Sequence, residues 1–291
     1  MKINKIMKKT VIAGMVIALG LTGLTACGKD ADAQESDNGG GGTVVVAGST
    51  SVQPLSEMLG EEFMTANSDA SIEVQGGGSG QGIKSIEEKI TDFGALSREL
   101  KEEEKGSVGN EHVIAKDGIA VITNSRSNVD DITMEQLKDV YTGKITNWKD
   151  LGGDDKKITV VSREEGSGTR GSFTEITGVL EKDENDEEVD KTVESAIIQG
   201  STGAVTQTVS NTPDSIGYIS LGSLNDTVKA LKVGGVDPTK ENVLNESYEL
   251  ARPFIYVSGA EVTDTAQKFL DFVMSEEGQA VVEEAGFIPV K

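Results

Sequence analysis

ITVVSREEGSGTRGSF, residues Ile158 to Phe173, passes from a β-branched run through a glycine- and hydroxyl-rich loop into a resumed apolar helix pattern. Ile158 to Ser162 reads as a strand, and Phe173, Ile176 and Leu180 fall on one face of the helix that follows. Between them lie Arg163, Glu164, Glu165, Gly166, Ser167, Gly168 and Thr169. Strand, loop and helix in this order form the repeating unit of an α/β fold. Gly166-x-Gly168-x-x-Gly171 also fits the formula of a dinucleotide fingerprint, but its context does not. The acids from Asp183 to Asp190 follow no strand, and two carboxylates beside the glycines would face a pyrophosphate. No GxxxxGK[ST] pattern occurs either.

The same unit recurs on both sides. TVVVAG, Thr43 to Gly48, is a short apolar run, and Leu55, Leu59 and Phe63 recur at helical spacing after Pro54. Ile72 and Val74 alternate in SIEVQGGG, and Ile83, Ile86 and Ile90 line a second helix. TDFGAL and GIAVITN read as strands, before a composition break at Asn124 to Asp131. Thr133 and Gln136 form a capping-box signature for the helix carrying Leu137 and Val140. EKDENDEEVD, Glu181 to Asp190, reads as a solvated surface turn. STGAVTQTVSN gives a helix, DSIGYISL and PFIYV give strands, and two helical patterns start near Thr263 and Ser275. The expectation is an α/β fold with mainly parallel pairing and two lobes of comparable size.

Three loops rich in glycine and hydroxyls follow strands and precede helices: Gly48 to Ser51, Gly76 to Gly82 and Arg163 to Gly171. Ser and Thr commonly cap helices, so one such loop is ordinary. Three at corresponding strand ends, one opened by arginine, form a set of outward-pointing amides and hydroxyls suited to an oxyanion. Arg163 adds a planar, permanently charged fork that binds two oxygens at once. Of the two acids after it, Glu165 is expected to pair with Arg163 and fix it.

Enzyme chemistry finds little footing. His112 is the only histidine and Cys27 the only cysteine, which removes the commonest metal sites and nucleophile arrangements. His112 is expected to be structural or at the surface. Gly166-Ser167-Gly168 does not supply a G-x-S-x-G elbow, and no carboxylate spacing singles out a metal site. No metal, cofactor or catalytic residue is expected.

The first residues carry Lys2, Lys5, Lys8 and Lys9, then an apolar run from Val11 to Leu24, then Thr25, Ala26 and Cys27. This order describes an export signal over residues 1–26, too short for a dependable membrane span. Residues 27–42 end in four glycines and read as a flexible tether. Losing residues 1–26 removes four lysines and no acid, so the formal net charge goes from −22 to −26. Such a surface repels nucleic acid. It also repels a free anion at long range, so short hydrogen bonds in a closed site must hold any anion that binds. Only 4% of residues are aromatic, leaving few platforms for stacking sugars or bases.

VAGSTSVQPL, QGGGSGQGIKSI, DFGALSREL, YTGKITNW, REEGSGTRGSF, DSIGYISL and FLDFVMSEEGQAVVEEAGFIPV together resemble the phosphate-binding lipoproteins of bacterial phosphate ABC importers, in their Gram-positive form. The likeness runs over nearly all of residues 43–291, and LTAC resembles the lipobox in which Cys27 becomes the lipidated first residue. It implies a two-lobed periplasmic-binding-protein-like fold of type II, with mixed sheets flanked by helices and a hinge. Lobe one is expected over residues 43–123 plus 235–291 and lobe two over 124–234. The resemblance places Thr50, Ser51, Ser79, Ser97, Arg163, Ser167, Gly168 and Thr169 on phosphate. Ser49 stands as an alternative to Thr50, and Glu165 as the acid beside the arginine. Ser97 falls where the best-described branch carries an aspartate that accepts the phosphate proton. Serine accepts that proton but adds no charge repulsion against sulfate. Sulfate or molybdate, or a non-transport adhesion or signalling module of the same fold, are the alternatives. The implied protein is a monomer, lipid-anchored on the extracellular face of the cell membrane, that passes phosphate to membrane-embedded permease subunits.

Radiolabelled lipid is expected to enter the wild-type chain and not Cys27→Ala. Equal labelling of both would exclude the anchor.

Overall fold

A computed structural model describes residues 42–291. The export signal, Cys27 and the tether up to residue 41 lie outside the described residues.

The first half runs β1 (Thr43–Gly48), α1 (Gln53–Ala66), β2 (Ser71–Gly76), α2 (Ser79–Glu87), β3 (Phe93–Leu96) and β4 (Asn110–Asn124). Next come β5 (Asp131–Ile132), α3 (Met134–Tyr141), β6 (Thr159–Arg163), α4 (Gly168–Thr177), β7 (Leu180–Lys182), β8 (Glu188–Asp190), β9 (Ile197–Gln199) and α5 (Thr202–Asn211). The chain closes with β10 (Ser215–Ser220), β11 (Val228–Ala230), β12 (Lys232–Val233), α6 (Lys240–Leu244), β13 (Ala251–Ser258), α7 (Asp264–Val273) and α8 (Glu276–Glu284). The capping box at Thr133 and Gln136 forms at the start of α3. Thr263 and Ser275 cap α7 and α8.

The strands are arranged in the order β2-β1-β3-β13-β4-β10-β6-β9, with β11 also on β4. β1 pairs in parallel with β2 and β3, as β6 does with β9 and β10. β13 is antiparallel to β3 and β4, and β10 is antiparallel to β4. The sheets are therefore mixed, not mainly parallel. Periodicity reports burial, and burial is the same for either strand direction. EKDENDEEVD likewise becomes the hairpin of β7 and β8, turning through Asp186 at φ 65°.

β4 ties the two lobes together. Asn110 to Gly118 pair with β13, whereas Ile119 to Thr123 pair with β10. The cores divide at the same place. Ala115 packs with Val44, Leu55, Phe93, Tyr256 and Phe269, while Ile119 packs with Leu137, Phe173, Tyr218 and Leu250.

A buried ion pair sits at this changeover. Asp117 and Arg252 lie opposite each other on β4 and β13, with side chains only 1% exposed. Arg252 Nη2 and Nε donate to Asp117 Oδ2 at 2.9 and 3.2 Å, and Nη1 reaches the Ser97 carbonyl at 3.2 Å. Burial pushes the Asp117 carboxyl up and the Arg252 guanidinium down, and their mutual attraction opposes both shifts. Removing one partner leaves an uncompensated buried charge. Arg252→Met is expected to lower unfolding free energy by about 3–5 kcal/mol in urea titration. An Arg252→Met/Asp117→Leu double variant should recover much of that loss.

Candidate functional site

Each loop singled out by sequence is shaped so that its hydroxyls turn inward. β1 ends at Gly48, whose φ of 142° and contact with the Ala95 backbone exclude a side chain; an added Cβ would lie 2.2 Å from the Ala95 carbonyl oxygen. The Gly48 carbonyl accepts the amides of Gly77 and Gly78, which fixes the first loop against the second. Gly78, at φ 87°, then starts α2 with no side-chain cap, leaving that helix terminus open to other acceptors. The third loop is a turn from Glu164 to Ser167, closed by Ser167 N–H donating to the Glu164 carbonyl at 3.2 Å. Gly166 takes its third position at φ 85°. Ser167 caps α4 by accepting from the Arg170 amide, and its carbonyl accepts from Gly171. Gly168 and Thr169 thus present the other two amides of that first turn.

The loops converge on one buried cluster. Ser51 Oγ lies 2.8 Å from Thr169 Oγ1 and 2.9 Å from Thr202 Oγ1. Ser49 Oγ donates to Ser97 Oγ at 2.8 Å, and the Ser97 amide donates to Ser79 Oγ at 3.1 Å. The Gly80 amide donates to the Gly166 carbonyl at 3.0 Å. Ser172 Oγ donates to the Ser97 carbonyl, the same oxygen that Arg252 reaches. Gly168 allows this approach: a Cβ there would meet Ser79 Oγ at 2.1 Å and Ser97 Oγ at 2.7 Å. Ser49, Ser51, Ser79, Ser97, Arg163, Ser167 and Thr169 are all buried, and Thr50 is half-buried. All eight residues expected on the anion, with Ser49, therefore lie around one place.

Arg163 closes the cluster from the end of β6, at 2% exposure. Its backbone amide donates to the Tyr218 hydroxyl, which also bonds Ser162 Oγ at 2.8 Å. Burial pushes that phenol up to about 12, so it stays neutral, and Phe173 stacks on its ring with centroids 4.0 Å apart. The guanidinium uses its two edges differently. Nε and Nη2 donate to Glu164 Oε2 and Oε1 at 2.8 and 2.7 Å. The remaining edge faces the hydroxyls, with Nη2 3.2 Å from Thr50 Oγ1 and Nη1 3.4 Å from Thr202 Oγ1. An oxyanion meeting that edge gains a charge-assisted, two-point contact.

Glu164, not Glu165, holds the arginine. Glu165 occupies the second position of the tight turn, where its side chain points to solvent, while Glu164 leaves the strand beside Arg163. The acidic hairpin is also more than solvated surface. Asp190 accepts from Arg170 Nε at 2.7 Å, and Arg170 Nη1 donates to the Arg163 carbonyl at 2.7 Å.

One residue escaped the sequence reading altogether. Thr202 opens α5 in a fourth loop, Gly200-Ser201-Thr202-Gly203, after β9. The signal was present, since Gly200-Ser201-Thr202 repeats Gly48-Ser49-Thr50. The strand before it is three residues long, and its apolar stretch, Ala196 to Ile198, is too short to announce a strand. Among the described residues, no group of three His, Cys, Asp or Glu is placed to hold a metal ion.

Residues 33–277 match the PBP superfamily domain. The chain is 35% identical to the phosphate-binding protein PstS of Bacillus subtilis, over 100% of this chain and 95% of that one. It is 33% identical to PstS of Borreliella burgdorferi, over 85% and 90% of the two chains. A Clostridium perfringens protein whose X-ray structure holds bound phosphate matches with TM-score 0.81 and 45% identity, over 86% of this chain and 100% of that one. An ABC-type phosphate transport receptor from Vibrio cholerae matches with TM-score 0.70 and 34% identity, over 84% and 99%.

Glu164→Gln is expected to destabilise the anion-free protein by about 1–3 kcal/mol, because the buried guanidinium loses its charged acceptors. Glu165→Gln is expected to stay within about 0.5 kcal/mol. Paired urea titrations compare them.

Proposed function

The chain belongs to the PBP superfamily and, within it, to the phosphate-binding PstS proteins, and on that premise we propose that it binds inorganic phosphate outside the cell and delivers it to an ABC importer. The observation that carries this reading is the edge of Arg163 not held by Glu164, which faces hydroxyls from both lobes. Thr50, Ser51, Ser79, Ser97, Ser167 and Thr169 supply hydroxyls, Gly168 and Thr169 supply amides, and Arg163 supplies charge. The role is binding and release, without bond-making at the site.

Ser97 is the group we assign to the phosphate proton. A hydroxyl oxygen has one proton and two lone pairs. Ser97 Oγ accepts one bond from Ser49, which leaves a lone pair for an incoming P–O–H and its own proton for another oxygen. Sulfate, fully ionised at neutral pH, offers no proton to that lone pair, so one acceptor stays unmatched. Discrimination here rests on an unmade hydrogen bond, not on repulsion by a carboxylate.

The lobes of this reading are residues 43–118 with 251–291, and 119–250. The exchange of β4 partners after Gly118 and the placing of Leu250 in the second core support these limits over crossings at 124 and 235. Two adjacent crossings suit a hinge that closes over the anion. The mature chain is a monomer held by a lipid on Cys27 at the outer face of the membrane, where permease subunits receive the anion.

Calorimetric titration of the anion-stripped protein with phosphate, sulfate and molybdate tests the assignment. Tight phosphate binding with negligible sulfate binding is expected, and Arg163→Ala should weaken phosphate by about 2–5 kcal/mol. A preference for sulfate or molybdate would replace the substrate. No binding of any of the three would favour a non-transport module.

A further inference from the structure

We infer that Thr202 is a further anion-binding residue, its hydroxyl sharing one ligand oxygen with Arg163 Nη1. The inference rests on the phosphate reading above but concerns a loop that none of its residues comes from. Thr202 is 4% exposed and stands at the first position of α5. Its hydroxyl lies 2.9 Å from Ser51 Oγ, 3.4 Å from Thr50 Oγ1 and 3.4 Å from Arg163 Nη1. A contact of 3.4 Å is long for a charged donor, whose good hydrogen bonds are 2.7–2.9 Å, roughly. Nη1 of a buried guanidinium therefore wants a closer acceptor, and Thr202 Oγ1 is the hydroxyl beside it. Ser51, Thr169 and Thr202 carry three hydroxyl protons and make two contacts with one another. At least one proton is left over for an oxyanion, and all three can turn to it.

The backbone of the same residue holds the geometry. The Thr202 amide donates to Thr50 Oγ1 at 3.2 Å, and Ser201 caps the helix by accepting from Ala204. The hydroxyl is thus positioned by main-chain contacts that a side-chain change leaves in place. Electrostatics agrees. Thr50 and Thr202 also line a chamber of about 440 Å³ that runs past Pro54, Thr206, Ser210 and Asn225, and none of its lining residues is ionisable. In a chain of formal net charge −22, this is a flank on which an anion meets no carboxylate.

The test compares wild type, Thr202→Val, Thr202→Ser and Thr206→Val by phosphate titration, with urea unfolding of each anion-free protein. Thr202→Val keeps the shape and the amide but removes the hydroxyl. It is expected to lose about 10- to 100-fold in phosphate affinity. Thr202→Ser should stay within about 3-fold. Thr206→Val, one turn along the same helix, should be close to wild type. Thr202→Val binding as tightly as wild type would overturn the inference and leave the phosphate reading intact. Equal losses in Thr202→Val and Thr206→Val would also overturn it, since they would report damage to α5. Wild type failing to bind phosphate would overturn both. If Thr202→Val does not fold, Thr202→Ala carries the same comparison.

Discussion

A guanidinium taken out of water needs a counter-charge, and the way Arg163 finds one orders the structure around it. Glu164 satisfies one edge with two short bonds, so the group can be buried without the ligand. The other edge meets only the hydroxyls of Thr50 and Thr202. A neutral phenol behind the strand holds the Arg163 amide, and Arg170, itself held by Asp190, grips the Arg163 carbonyl. The protein thus places one buried edge of positive charge inside a strongly acidic chain. Apart from Glu164, the groups gathered there are uncharged: hydroxyls, amides and glycines that bring backbone close.

What could be read beforehand was whatever depends on local pattern. The hydroxyl loops at Ser49 to Ser51, Ser79 and Ser167 to Thr169 stood out because each follows a strand pattern and starts a helix. The cap at Thr133 and the C-terminal helices were legible for the same reason. Pairing direction was not, because β1 and β13 are both apolar runs although one lies parallel and the other antiparallel to β3. The choice between Glu164 and Glu165 turned on a single backbone turn that sends neighbouring side chains opposite ways. Thr202 was hidden by the shortness of β9, and the Asp117–Arg252 pair by a sequence separation of 135. Only the β4–β13 register brings those two together.

The ion pair also connects the changeover strand to the site. Arg252 bonds the carbonyl of Ser97, whose hydroxyl accepts from Ser49 and whose amide donates to Ser79. The residue assigned to the phosphate proton is therefore held from β13, the first loop, α2 and, through Ser172, α4, and the β13 contact sits where β4 changes sheets. Its orientation follows from the position of β13 as well as from its own loop.

The bond from the Gly80 amide to the Gly166 carbonyl joins the second loop to the third using main-chain atoms alone. Both partners are glycines, so no side chain exists at either end to be trimmed. An alanine scan of the cleft would pass over this contact or, worse, misattribute it, because a methyl at Gly80 meets only ordinary contacts, one at Gly166 strains a backbone at φ 85°, and neither deletes the bond. Its contribution is accessible to backbone chemistry, such as an ester in place of the Gly80 amide. Part of what joins these loops is in this sense written in the peptide chain itself, beneath the level at which residues are exchanged.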